Sequence, residues 1–310
     1  DISEILGYGA GQNKTISTSA STSGGLAIPD FYTVANSKDK PNYGSSKYNN
    51  SRISAYGLLS IGWNSMLYLD GSYRLDWGST AAADNNRIET YGLSGSFVFN
   101  TLVDQDWLSF GKLRVNYAEA PIFPGTYATS PTYGSSTAYG SLAALNVPNT
   151  LANPNLTGGM RTELEYGVEM KFMKNRLGLD FTYFDREDSN LPVSITAAGG
   201  TGYTGLSVNS KITSTAGVEA MISGTPILTD DIRWDVSFNF GRFKKTVDFI
   251  YEGIERNILD SWLSWSSMDL QEIVGQEWGM LYGRKRLKDD AGNWVLYNSG
   301  NHRYTNNTLL

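Results

Sequence analysis

The stretch Leu67-Tyr68-Leu69-Asp70-Gly71-Ser72-Tyr73-Arg74-Leu75-Asp76-Trp77 decides the fold. In an extended chain successive side chains point to opposite sides, so Leu67, Leu69, Gly71, Tyr73, Leu75 and Trp77 share one face and Tyr68, Asp70, Ser72, Arg74 and Asp76 the other. One face calls for apolar surroundings and the other for water. The period returns as Tyr91, Leu93, Gly95, Phe97 and Phe99 against Thr90, Gly92, Ser94 and Ser96, and as Leu113, Val115 and Tyr117 against Lys112, Arg114 and Asn116. Thr162, Leu164, Tyr166, Val168, Met170 and Phe172 then oppose Glu163, Glu165, Glu169 and Lys171. Leu177, Leu179, Phe181 and Tyr183 oppose Asp180, Thr182 and Arg186, and Trp234, Val236, Phe238 and Phe240 oppose Arg233, Asp235, Ser237 and Asn239. Weaker runs lie near 52–63 and 216–224.

These runs are about nine to eleven residues long, beyond the usual five or six of a soluble sandwich and enough to cross a bilayer at a steep tilt. Their connections alternate in length. Short links fall at Asn64-Ser65, near 100–107, from Met173 to Arg176 and near 225–232, and long ones near 78–88, 118–161, 187–213 and 244–276. Tight turns on one side with elaborate loops on the other are the mark of an outer-membrane barrel. Trp63, Trp77, Trp107, Tyr117 and Trp234 stand near strand ends, where amphipathic rings suit the membrane interface. The polar face carries both signs of charge, Glu163, Glu165 and Glu169 with Lys112, Arg114 and Arg186, which a hydrated lumen accommodates and a dry core does not.

Composition agrees with an all-β chain. Of 310 residues 18% are charged and 13% aromatic, with 33 Gly and 19 Tyr, a balance rich in strand and turn formers. The absence of Cys excludes disulfides, thiol nucleophiles and Cys-based zinc sites. The single histidine, His302, is expected to be a solvated loop residue. A net charge of -6 argues against nucleic acid as a partner, since phosphate recognition needs a basic face. No apolar run reaches the length of a membrane helix, and the start Asp1-Ile2-Ser3-Glu4 has no signal-peptide pattern. Residues 1–50, rich in Ser, Gly, Asn, Thr and Lys, are expected to form an extracellular loop region, with the barrel wall and its loops over 51–310.

Several ordered segments resemble one family. Gly111-Lys112-Leu113-Arg114-Val115-Asn116-Tyr117-Ala118, Asn153-Pro154-Asn155-Leu156, the hairpin from Phe172 to Asp185, Gly217-Val218-Glu219 and Trp234-Asp235-Val236-Ser237-Phe238-Asn239-Phe240 occur in its order. So do Val274-Gly275-Gln276-Glu277-Trp278-Gly279, Tyr282-Gly283 and Asp289-Asp290-Ala291-Gly292-Asn293. Together they resemble the SusC/RagA-like TonB-dependent transporters of the Bacteroidetes outer membrane. The resemblance departs at Thr157-Gly158-Gly159-Met160 and Ala120-Pro121, both at loop positions. It implies a segment of an antiparallel transmembrane β-barrel of about 22 strands in the complete family member, with long extracellular loops and short periplasmic turns. Plug, TonB-contacting segment and last strands are not visible in this sequence, so the chain is expected to be part of a longer polypeptide.

The function the resemblance implies is TonB-dependent import of a nutrient, an oligosaccharide or a peptide. The implied partners are a SusD-like surface lipoprotein, outer-membrane lipid, and TonB-ExbB-ExbD through the absent N-terminal part. Two other readings stand beside it: a non-transporting SusC-like barrel that scaffolds an envelope complex, and a secreted glycan-binding β-protein. No enzymatic role, cofactor or metal is expected, for the sequence holds no P-loop, Rossmann, EF-hand or zinc motif. Paired acids such as Glu163 and Glu165 sit on one strand face and line a wall rather than straddle a sugar. Substrate contacts are expected from loop aromatics able to stack on sugars or peptide side chains: Tyr127, Tyr133, Tyr139, Tyr203, Trp262 and Trp265.

Overall fold

The structure, a computed structural model, describes residues 1–100, 102–103, 105–263, 268–296, 304 and 308–309. Its wall strands are β1 (Ile2–Leu26), β2 (Ser37–Trp63), β3 (Leu67–Gly78), β4 (Arg87–Val98) and β5 (Leu108–Ile122). After three short strands, β6 (Gly134–Tyr139), β7 (Leu142–Asn146) and β8 (Thr150–Leu151), the wall resumes. It continues with β9 (Gly159–Phe172), β10 (Leu177–Thr196), β11 (Gly205–Leu228) and β12 (Arg233–Phe249). The last elements are β13 (Arg256–Leu263), β14 (Met268–Ile273), β15 (Met280–Gly283) and β16 (Thr308–Leu309). The wall is one sheet in the order β1-β2-β3-β4-β5-β9-β10-β11-β12, every neighbouring pair antiparallel.

The connections sort by end as the alternation of link lengths predicts. At one end lie the links 64–66, 99–107, 173–176 and 229–232, and at the other 27–36, 79–86, 123–158 and 197–204. Asn64 and Ser65, both left-handed at φ 54 and 55, make the tight turn of the three-residue link between Trp63 and Leu67. Met66 N closes it on the Trp63 carbonyl at 3.0 Å.

Alternation survives as two faces. The outward face carries Leu69, Leu93, Leu113, Phe238 and Phe240, all exposed, as a surface must be whose solvent is lipid. Its tyrosines form a staircase. Tyr73 pairs with Tyr91, Tyr117 with Leu93, Tyr166 with Val115 and with Tyr183, and Phe240 with Ala220, itself opposite Phe181. The row descends by about one residue per strand crossed. At ~3.3 Å per residue and ~4.8 Å between strands, a level ring corresponds to a strand tilt of about 35°, at the foot of the range for outer-membrane barrels. Trp63, Trp107, Phe172 and Trp234 form a second row near the short-turn end; Trp107 and Phe172 stack at 5.8 Å with 13° between their planes.

The buried apolar cluster sits beyond the long-loop end of this band. Ile195, Val208, Val247 and Ile250 form it, with Val193, Leu206, Ile254 and Val274 packed against them. Residues 275–278 hydrogen-bond along the upper edge of β12, Gly275 N to the Val247 carbonyl at 2.7 Å and Trp278 N to that of Lys245 at 2.8 Å. Within the membrane band lipid takes the place of a core, and the cluster of buried apolar side chains lies outside it.

Two expectations are corrected. Residues 1–50 are not an irregular loop: β1 pairs with β2 from Ile2↔Ile61 to Leu26↔Ser37 as a long two-stranded ribbon. Neither face of the ribbon's upper half is buried, so no alternation marked it. Pro41 sits beside the register shift between Ser21 and Ser23, where a strand tolerates proline. The link 187–213 is likewise mostly strand, because β10 runs on to Thr196 and β11 begins at Gly205, bulged beside Asn190 at φ 52.

Candidate functional site

The inward face is built from charge pairs that cross strands. Arg114 on β5 reaches over β9 to Asp180 on β10, Nη2 to Oδ1 at 2.7 Å and Nη1 to Oδ2 at 3.1 Å, and donates to Thr182 Oγ1 at 2.6 Å. It passes because the residue between is Gly167, where an added Cβ would lie 2.3 Å from the Arg114 Nε. Arg161 grips Asp188 by Nε at 2.6 Å and Nη2 at 2.9 Å, Arg186 pairs with Glu163, and Asn116 Nδ2 donates to Glu165 at 3.1 Å. Bidentate Arg–carboxylate contacts of this kind fix geometry as well as charge. At the upper rim Lys211 Nζ meets the fully buried Glu272 at 2.5 Å, and Asn257 Nδ2 donates to the other Glu272 oxygen at 2.9 Å. That pair ties β14 to β11.

Nearer the mouth on the other side, Asp76 on β3 is fully buried. Arg74 holds it with Nε at 2.7 Å from Oδ2 and Nη2 at 2.9 Å from Oδ1, and Ser54 Oγ donates to Oδ1 at 2.6 Å. Arg52 Nε lies 3.3 Å from the same Oδ1. The Arg52 guanidinium is 4.9 Å from the centre of the Phe123 ring. That ring lies against Gly78, where a Cβ would come within 2.5 Å of it. Arg52, Gly78, Thr80, Phe123 and Thr126 line a hollow of about 260 Å³. Tyr48 and Tyr127 lie beside it with ring centres 6.3 Å apart.

The loop aromatics expected to touch substrate are dispersed. Tyr127 stands in the link after β5 with φ 66, a conformation uncommon outside glycine. Tyr133 precedes β6 and Tyr139 is its last residue, both strongly exposed; Tyr203 is half-buried in the link 197–204. Trp262 falls in strand β13 rather than a loop, while Trp265 and His302 lie outside the described residues. Among the described side chains of the six, Tyr127 alone stands beside the Arg52 hollow. Sequence reading overlooked Arg52 and Phe123, which are distant in the chain and meet only through the glycine at the end of β3. Among the described residues no three His, Cys, Asp or Glu side chains gather as a metal site, and no helix is long and apolar enough to cross a membrane.

A wall with an apolar exterior ringed by aromatics and a charged, hydrogen-bonded interior is that of an outer-membrane β-barrel. The family model for the β-barrel of TonB-dependent receptor-like proteins matches residues 6–308, and the chain belongs to that family. Among solved structures, the RagAB peptide importer in its open-open state matches with a TM-score of 0.74 at 16% identity, covering 100% of this chain and 35% of that one. Its closed-closed state gives 0.72 at 17% identity, covering 98% and 34%. The ferric-catecholate import receptor Fiu of E. coli K12 gives 0.51 at 13% identity, covering 93% and 40%. No curated protein matches significantly. The chain thus spans about a third of the length of the RagAB chains it resembles, and these likenesses show the fold.

Proposed function

We propose that this chain is part of the barrel wall of a transporter that imports a nutrient, a peptide or an oligosaccharide, across the outer membrane with energy from TonB. The observation that carries the reading is the inward face: paired charges in register on β5, β9, β10 and β11, opposite an exterior of bare apolar side chains. Such a wall separates lipid from a wet passage. Membership of the TonB-dependent family supplies the energy source in this proposal, and a SusD-like lipoprotein the lid over the mouth. The fold shared with the RagAB peptide importer makes peptides the first cargo to try. Tyr127, Tyr133, Tyr139, Tyr203, Trp262 and Trp265 are proposed as contacts made while cargo passes the long loops.

The test is uptake by cells carrying the full-length protein. Labelled peptides and oligosaccharides are expected to accumulate in a manner lost both on deletion of the protein and on removal of TonB. Accumulation unaffected by either loss contradicts the reading and favours a scaffold.

A further inference from the structure

The mouth cluster is unbalanced. Arg74 and Ser54 already engage both oxygens of Asp76, and that carboxylate is buried with no face left for solvent. Arg52 is a second cation on the same anion, held by one long contact of 3.3 Å with its side chain 43% exposed. No other carboxylate lies within ion-pair distance of Arg52 among the described residues. About one unit of positive charge is therefore left over, on the residue that borders the hollow. The Phe123 ring under the guanidinium fixes its plane, as aromatic faces do for arginine. A planar fork so held, with donors uncommitted, is matched in shape and charge by a carboxylate.

Resting on the import reading, the geometry points to a subsite at the barrel mouth in which Arg52, floored by Phe123, receives a carboxylate group of the cargo. Asn50, Thr80 and Thr126 line the same hollow, and their amide and hydroxyl groups are of the kind that meets the amide or hydroxyl groups flanking such a carboxylate. Two cargo classes present it: a peptide through its C-terminus or an acidic side chain, and an oligosaccharide through a uronic acid.

The experiment measures dissociation constants on the purified full-length transporter, with any subunit that accompanies it. A peptide free acid is compared with its C-terminal amide, and a uronate-bearing oligosaccharide with its carboxyl-reduced counterpart. In one pair the carboxylate form is expected to bind about tenfold more tightly at low salt, the difference shrinking as ionic strength rises. Which pair shows it identifies the source. Arg52→Gln is expected to bring the ratio close to one, and Arg52→Lys to keep part of it, since an ammonium retains charge without the fork. Gly78→Ala, which displaces Phe123 and leaves every charge in place, is expected to lower the ratio as well. Cargo binding with no preference for the carboxylate form, or a preference that survives Arg52→Gln, overturns the subsite and leaves import standing. Failure of both classes to bind the wild-type transporter removes the import reading and the subsite together.

Discussion

At the scale of single residues, the inner wall depends on where side chains are absent. Gly167 sits between Arg114 and Thr182 in the cross-strand row, and any Cβ there meets the arginine's side chain. Gly167→Ala is expected to break the Arg114–Asp180 bridge and destabilise the barrel by about 1–2 kcal/mol, read from the denaturant midpoint of the refolded full-length protein. A second residue-scale device is Asp289, whose carboxylate accepts from the backbone N–H of Asn293 at 2.8 Å and of Ala291 at 3.0 Å, and from the Asn293 amide. The Asn293 N–H foremost, then its side-chain amide, holds the Asp289 carboxyl below the usual aspartate range. A depressed folded-state pKa stabilises the turn above the ordinary aspartate pKa of about 3.9 and is lost as pH falls through the depressed value. Amide exchange at Ala291 and Asn293, corrected for intrinsic rate, is expected to stay slow at neutral pH and to quicken in acid below about pH 4. In Asp289→Asn, which keeps an acceptor oxygen but has no proton to gain, that acid dependence is expected to disappear.

At the scale of elements, the faces of a strand answer to different solvents. Phe238 points outward from β12 and Asn239 inward. Phe238→Arg is expected to cost the barrel about 2–4 kcal/mol, and Asn239→Arg under about 1 kcal/mol because it meets water. Equal effects in equilibrium unfolding from lipid vesicles would contradict the two-faced wall. Strands lying between lipid and lumen were legible in the sequence for the same reason: β3, β4, β9 and β12 carry oil and water on alternate side chains. The ribbon of β1 and the upper half of β2 was not legible, because water lies on both of its faces and nothing selects a period. The outer parts of β10 and β11 read as loop for a different reason: they bury Ile195 and Val208 on one face, but the register shifts beside Asn190 break the period. Of the candidate site, sequence supplied the inward charges but not their pairing, since Arg114 meets Asp180 only once β9 stands between them. It could not supply Arg52 and Phe123, which the register of β2 with β3 and the return of the link after β5 bring together.

At the scale of the whole molecule, the chain is a wall at whose edge β1 pairs with β2 alone among the described residues. Nine strands at about 35° of tilt curve through part of a large barrel. Its buried core lies outside the membrane band, where Ile195, Val208, Val247 and Ile250 gather, and the Lys211–Glu272 pair fastens the outer strands to the wall. The central claim is that lipid covers one face of this sheet and water the other. This chain contains no Cys, so, with any cysteine elsewhere in the full-length protein replaced, single cysteines can be placed along β12 in lipid vesicles and spin-labelled one position at a time. The account predicts that labels at 236, 238 and 240 collide chiefly with oxygen dissolved in the bilayer, and labels at 235, 237 and 239 with a water-soluble nickel chelate. Equal access of the chelate to both sets would contradict it.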